Sequence, residues 1–198
     1  MKIIELVKRY HSNRENYMSE NYNETLLRND FLNPLFELLG WDIKNNVGKP
    51  TNEREVILEE GLKPSVSETS KKPDYTFRLF SQRKFFLEAK KPNVAIQTNN
   101  ETAKQIRRYG FTAKLKISVL SNFEYLLIYD CSEKVDENDN YKKRLIKTYH
   151  YTDYEKKLEE IKQLVGRESV YSGKFDEIWK DIEKQMNLFC VDDLFLTQ

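Results

Sequence analysis

Two carboxylates and an ammonium group stand at the two ends of one stretch, residues 73–91, PDYTFRLFSQRKFFLEAKK. Asp74 follows Pro73 at its start, and Glu88 and Lys90, separated by Ala89, lie near its close. Carboxylate oxygens are hard ligands, and Mg2+ needs only one or two of them because it keeps several of its waters. A cation held in this way can polarise a phosphodiester and lower the pKa of a bound water. A lysine beside that water can stabilise the charge that develops during attack. The bland alternative is a solvated hairpin, since Asp, Glu and Lys are all common at protein surfaces.

The elements that position these groups follow from the residues between them. Segments 75–80 and 84–87 are rich in aromatic and β-branched residues, and Ser81, Gln82 and Arg83 supply a polar turn. Folded back on that turn, the segment brings Asp74 opposite residues 88–90. Glu88 and Lys90, two apart on an extended strand, leave the same face. The apolar lead-in Phe85, Phe86, Leu87 predicts a buried strand, and charges at the end of a buried strand call for a purpose.

Pro73-Asp74 with Glu88-Ala89-Lys90 resembles the PD-(D/E)xK nuclease signature. Gln105 and Tyr109, in KQIRRYG, resemble the QxxxY motif that follows the core in restriction nucleases. Upstream, NETLLRNDFLNPLFELLGWD resembles the opening helix of the nuclease domains of type I restriction subunits and of type IIG fused restriction-modification enzymes. The three motifs fall in order across about residues 20–130. The resemblance implies a restriction-endonuclease-like α/β fold, with a mixed central sheet of about five strands flanked by helices. It implies Mg2+-dependent hydrolysis of DNA phosphodiesters, with Mn2+ as a substitute, leaving a 5′-phosphate. Asp74, Glu88 and the Ala89 backbone carbonyl are then expected metal ligands, Lys90 orients or activates the water, and Glu24 acts from farther out. Gln105 and Tyr109 are expected to support Lys90 or a phosphate. The expected partners are double-stranded DNA and methyltransferase and specificity regions in the same chain or complex. The alternative is a catalytically inactive DNA-binding or interaction module on a nuclease scaffold.

The chain has 198 residues, enough for one sizeable core, so a single nuclease domain over residues 1–198 is expected, with a C-terminal strand and helices over 141–190. Aromatic residues make up 13% of it, which argues for a folded domain despite 33% charged residues. No apolar run approaches a membrane span and no secretory signal is visible. Cys131 and Cys190 have no motif spacing and read as free thiols of a cytoplasmic protein. With only His11 and His150, a zinc cluster or a Ser-His triad is not expected.

Net charge is only +1, whereas nucleic-acid-binding domains usually carry a basic footprint. The cations gather near the proposed centre: Lys71, Lys72, Arg83, Lys84, Lys90, Lys91, Lys104, Arg107, Arg108, Lys114 and Lys116. Segments 53–60 and 136–139 are acidic. Weak DNA affinity for this chain alone is the expectation, with sequence-specific grip supplied elsewhere.

Along the chain, residues 1–18 carry a helical stripe of Ile3, Ile4, Val7 and Tyr10. A helix capped by Asn23 is expected to run to Gly40, kinked or broken by Pro34. Glu24 shares its apolar face and could point at the metal site, stabilise the helix N-terminus, or pair with Arg28 one turn on. Residues 41–47 and 53–58 read as short strands, and 63–72 as a loop. Asn99 or Asn100 caps a helix expected to end at Gly110. On it Gln105 and Tyr109 share a face, while Arg107 and Arg108 lie to the sides, suited to DNA-backbone contacts. The plain alternative is a surface helix whose tyrosine packs on the sheet. Strands are expected at 115–120, 125–129 and, at an edge, 143–151, around an acidic loop at 130–140. Helices follow at 154–165 and 174–188. The closing phrase VDDLFLTQ resembles the segment that leads into a helical connector before the methyltransferase in fused type IIG enzymes, and that resemblance implies the N-terminal part of a longer enzyme; no methyltransferase, glycine-rich cofactor or Walker motif is visible in the sequence.

Overall fold

Alternation along residues 85–89 sets the architecture. Phe85, Leu87 and Ala89 belong to one apolar cluster and Phe86 to another, so this strand is covered on both faces. In the computed structural model, residues 2–61 and 72–195 are described, with side chains described through residue 186. A six-stranded mixed sheet forms the centre, in the order β1 (Val56–Leu58), β2 (Tyr75–Leu79), β3 (Gln82–Ala89), β4 (Ile117–Ser121), β5 (Tyr125–Asp130) and β6 (Leu145–His150). All pairs are antiparallel except β3 with β4, whose parallel alignment sets Ala89 beside Ser121. Parallel neighbours need a crossover, and helix α5 (Asn100–Thr112) supplies it. The expected edge strand is present as β6. The fold is α/β, with one strand more than the five expected.

One face of the sheet packs against α1 (Ile3–Ser12), α4 (Asn33–Leu38), α6 (Tyr154–Val165) and α8 (Lys174–Phe195), through residues such as Tyr10, Phe36, Ile161 and Trp179. The other face packs against α5 through Phe86, Ile106, Leu120 and Leu127. Short helices α2 (Arg14–Tyr17), α3 (Glu24–Leu27) and α7 (Arg167–Tyr171) complete the chain. Asn23 caps α3, its side chain accepting from the Leu26 N–H at 3.0 Å.

Three expectations change. The helix foreseen from Asn23 to Gly40 is not continuous: a π-helical turn, Arg28–Leu32, separates α3 from α4. Pro34 has no N–H for the Asp30 carbonyl, and the Arg9 guanidinium donates to that carbonyl instead. Residues 41–47 form turns rather than a strand. The Asp42 carboxylate accepts the N–H groups of Asn46 and Val47, at 2.7 and 3.1 Å, and Asn45 adopts φ 55°. Gly110 does not end its helix, which runs on to Thr112. It marks a close approach: a Cβ there would lie 2.3 Å from Cys131 Sγ and 2.6 Å from Ser118 Oγ. The loop expected at 63–72 falls almost wholly outside the described residues, as does the Cys190 side chain.

Candidate metal centre

The β2–β3 hairpin pairs Tyr75 with Leu87, so Asp74 lies one step beyond, across from Glu88. Thr76 pairs with Phe86, which faces α5, and two-residue alternation puts Asp74, Glu88 and Lys90 on that same face. The register is locked at the end of the hairpin, where the Ala89 N–H donates to Asp74 Oδ2 at 2.7 Å. The Lys90 N–H donates to the Ser121 carbonyl at 3.0 Å, tying the segment to β4.

Glu88 is buried, and its Oε1 accepts from Lys90 Nζ at 2.8 Å and from Gln105 Nε2 at 3.2 Å. Gln105 Nε2 also donates to the Tyr109 hydroxyl at 2.7 Å, so the α5 face carrying both residues meets the carboxylate directly. Glu88 Oε2 is buried and has no hydrogen-bond partner. Burial first, and then the charge of Asp74, pushes the Glu88 carboxyl up to about 7. Burial likewise raises Asp74, against the Ala89 N–H and the Arg28 guanidinium. Lys90 is buried enough to oppose its charge, yet Glu88, and then Glu24 and Asp74, hold its ammonium above its usual value.

These features describe a centre short of positive charge. Two carboxylates with raised pKa values, Glu88 buried and Asp74 half-buried, with one oxygen of Glu88 unpartnered, are the hard donor set that a divalent cation prefers. No group of three or more His, Cys, Asp and Glu side chains is arranged around one point among the described residues. Two carboxylates suffice for an ion that retains waters, and not for one that demands a full protein cage.

Glu24 is half-buried at the first position of α3, close enough for its charge to act on Lys90. The pairing of Glu24 with Arg28 weighed from the sequence is replaced. Arg28 Nη1 donates to Asp74 Oδ1 at 3.2 Å and to Glu59 Oε1 at 3.1 Å, and its guanidinium carbon lies 5.0 Å from the Tyr75 ring centroid. Arg28 is thus a residue of the centre that spacing alone did not single out. The one local signal was its position one turn after Glu24.

The expected basic patch shrinks. Arg107 is 1% exposed and donates to Asp139 at 2.8 Å, so it is a buried internal tie and is not available for DNA-backbone contacts. Its side chain turns into the layer between α5 and the acidic loop, a long-range pairing that helical spacing does not reveal. Arg83 pairs with Glu60, Lys84 with Asp176, and Lys104 with Glu101, while Lys116 donates to the Asp176 carbonyl. Lys72, Lys91, Arg108 and Lys114 make no ion pair among the described residues, and Arg108 is exposed.

The chain is 62% identical over 193 residues to the type II restriction enzyme and methyltransferase RM.Eco57I of Escherichia coli. The similarity covers 98% of this chain and 19% of that protein, so the chain spans about a fifth of its relative's length. No family model matches the chain. No solved structure matches it. No helix among the described residues is long and apolar enough to cross a membrane.

Proposed function

We propose that this chain is the endonuclease region of a restriction-modification enzyme, hydrolysing phosphodiester bonds of double-stranded DNA with Mg2+. The reading rests on Glu88, a buried carboxylate with one oxygen left open, beside Asp74 and 2.8 Å from the Lys90 ammonium. Similarity to a restriction enzyme and methyltransferase over nearly the whole chain supports it.

In this reading Asp74 and Glu88 would hold the metal with their side chains, and the Ala89 carbonyl would be a third ligand. A divalent cation bound there supplies the charge that neutralises a phosphodiester and lowers the pKa of an attached water. Lys90 donates from Nζ to the attacking water and stabilises negative charge at the phosphoryl group. Gln105 fixes the Glu88 carboxylate through Oε1 while Tyr109 accepts from its amide, so Glu88 would be held oriented for a cation. Glu24 restrains the ammonium and orders water near it. Arg108 and Lys91, left without ion pairs, contact the DNA backbone. Mn2+ replaces Mg2+, and the product carries a 5′-phosphate. The domain forms the N-terminal nuclease part of a cytoplasmic enzyme whose methyltransferase and target-recognition regions lie in the same polypeptide.

The test is nicking of supercoiled plasmid by the full-length protein with Mg2+. Asp74→Ala and Lys90→Ala should each abolish nicking without loss of folded structure by circular dichroism. Calorimetric Mn2+ binding should disappear in Glu88→Ala. Cleavage retained in both of the first two variants, or unchanged under a metal chelator, would overturn the assignment.

A further inference from the structure

We infer that Arg28 is a phosphate-positioning residue, and that Glu59 holds its place on the guanidinium until DNA arrives; this rests on the nuclease reading above. Arg28 lies one turn after Glu24, at the start of the π-helical turn, and its side chain reaches the centre from the far side of Asp74 relative to the Ala89 N–H. Three contacts hold it. Its guanidinium lies over the Tyr75 ring, Nη1 donates to half-buried Asp74, and the same nitrogen donates to Glu59.

These contacts are unequal. The Arg28 and Asp74 side chains are 14% and 18% exposed, whereas Glu59 is 65% exposed. An exposed ion pair contributes little, so exchanging its partner costs little. A guanidinium offers a planar fork of donors suited to a phosphate, while the ring and Asp74 keep it aimed. Glu59 presents to that fork what a phosphodiester presents, an anionic oxygen 3.1 Å from Nη1. A phosphate drawn to the Asp74–Glu88 centre arrives beside this nitrogen and displaces the Glu59 carboxylate. The Glu59 N–H donates to the Asp74 carbonyl at 3.0 Å, so the competitor is anchored at the site it guards.

The experiment is a double-mutant cycle on DNA binding rather than on cleavage. Affinity of the full-length protein for a fluorescent duplex is measured by anisotropy, with Ca2+ in place of Mg2+, for wild type, Arg28→Met, Glu59→Gln and the double variant. Arg28→Met should weaken binding roughly tenfold or more and lower the salt slope by about one unit. Glu59→Gln should tighten binding about threefold in wild type and do nothing in the Arg28→Met background. Arg28→Lys, which retains a cation with less loss of packing, should recover part of the affinity if Arg28→Met proves poorly folded. An equal effect of Glu59→Gln in both backgrounds would mean general charge repulsion and overturn the inference. No effect in either background would overturn it as well. Loss of cleavage in wild type with the coupling intact would sink the catalytic reading and leave this one standing as a DNA contact.

Discussion

Glu88 and Glu55 are both buried, at 6% and 4% exposure, and their surroundings are opposite. Glu55 is saturated with donors: Lys49 Nζ at 2.7 Å, Arg167 Nε at 2.9 and 3.0 Å to its two oxygens, and the Asp42 N–H at 3.3 Å. Burial works against its charge, but these donors hold Glu55 below the ordinary carboxylate range. Glu88 has two donors on one oxygen and none on the other, and sits at about 7. A carboxylate that ties a fold together is enclosed by cations. Glu88 has a single cation, Lys90, a carboxylate neighbour, Asp74, and one oxygen with no donor at all. The difference lies in the partners, not in depth.

The contrast makes measurable demands. The largest concerns Glu88→Gln, which should cut cleavage by about a hundred- to a thousandfold while leaving the melting temperature unchanged or higher. Plasmid nicking and calorimetric melting on one preparation check both halves; a marked fall in melting temperature would make Glu88 a structural residue like Glu55. Conversely, Glu55→Gln should leave cleavage per folded molecule intact and lower stability by about 2–3 kcal/mol, below the full cost for a buried pair because Lys49 and Arg167 are partly exposed. Denaturant titration measures that loss. Because the folded-state pKa of Glu55 is depressed, its contribution is present above the unfolded carboxylate value of about 4.3 and is lost as pH falls through the folded value. Acid unfolding followed by tryptophan fluorescence should therefore be shallower in Glu55→Gln than in wild type.

Gly110→Ala probes the seat that holds α5 against the sheet. The added Cβ meets Cys131 and Ser118 and should cost about 1–3 kcal/mol, with cleavage also reduced because the same helix carries Gln105. The mildest change is Gln105→Ala. It removes one donor from Glu88 Oε1 and should weaken Mn2+ binding about tenfold by calorimetry, with little change in melting.

How much of this was legible in the sequence depended on how far apart the partners lie. Asp74 and Glu88 were readable because a hairpin converts their spacing into opposition, although the turn falls at Phe80 and Ser81, with Gln82 and Arg83 already in β3, and a bulge between Phe77 and Arg78 then shifts the pairing by one. Asn23 and Asn99 were readable because a cap acts on N–H groups three residues on. The strand expected at 41–47 failed because the Asp42 side chain captured the backbone locally, which apolar patterning does not register. Arg107 failed for the opposite reason: its partner Asp139 lies 32 residues away, so its burial could not be seen from helical spacing. The Glu55 clamp draws on Arg167, 112 residues on, and Glu55 was legible only as part of an acidic stretch. Arg28 was in view only as one possible partner of Glu24, and its actual partners, Glu59 and Asp74, lie 31 and 46 residues on.

The widened turn at residues 28–32 amounts to one extra residue wound into an otherwise continuous helical path. One residue is worth about 100° of rotation around a helix axis. Removing a residue from that turn would spin Glu24 and Arg28 about a quarter of a revolution relative to Leu35 and Phe36, which stay fastened in the core. The angular offset between an anchored half and a reactive half is therefore written into the chain by a proline that cannot close the ordinary loop.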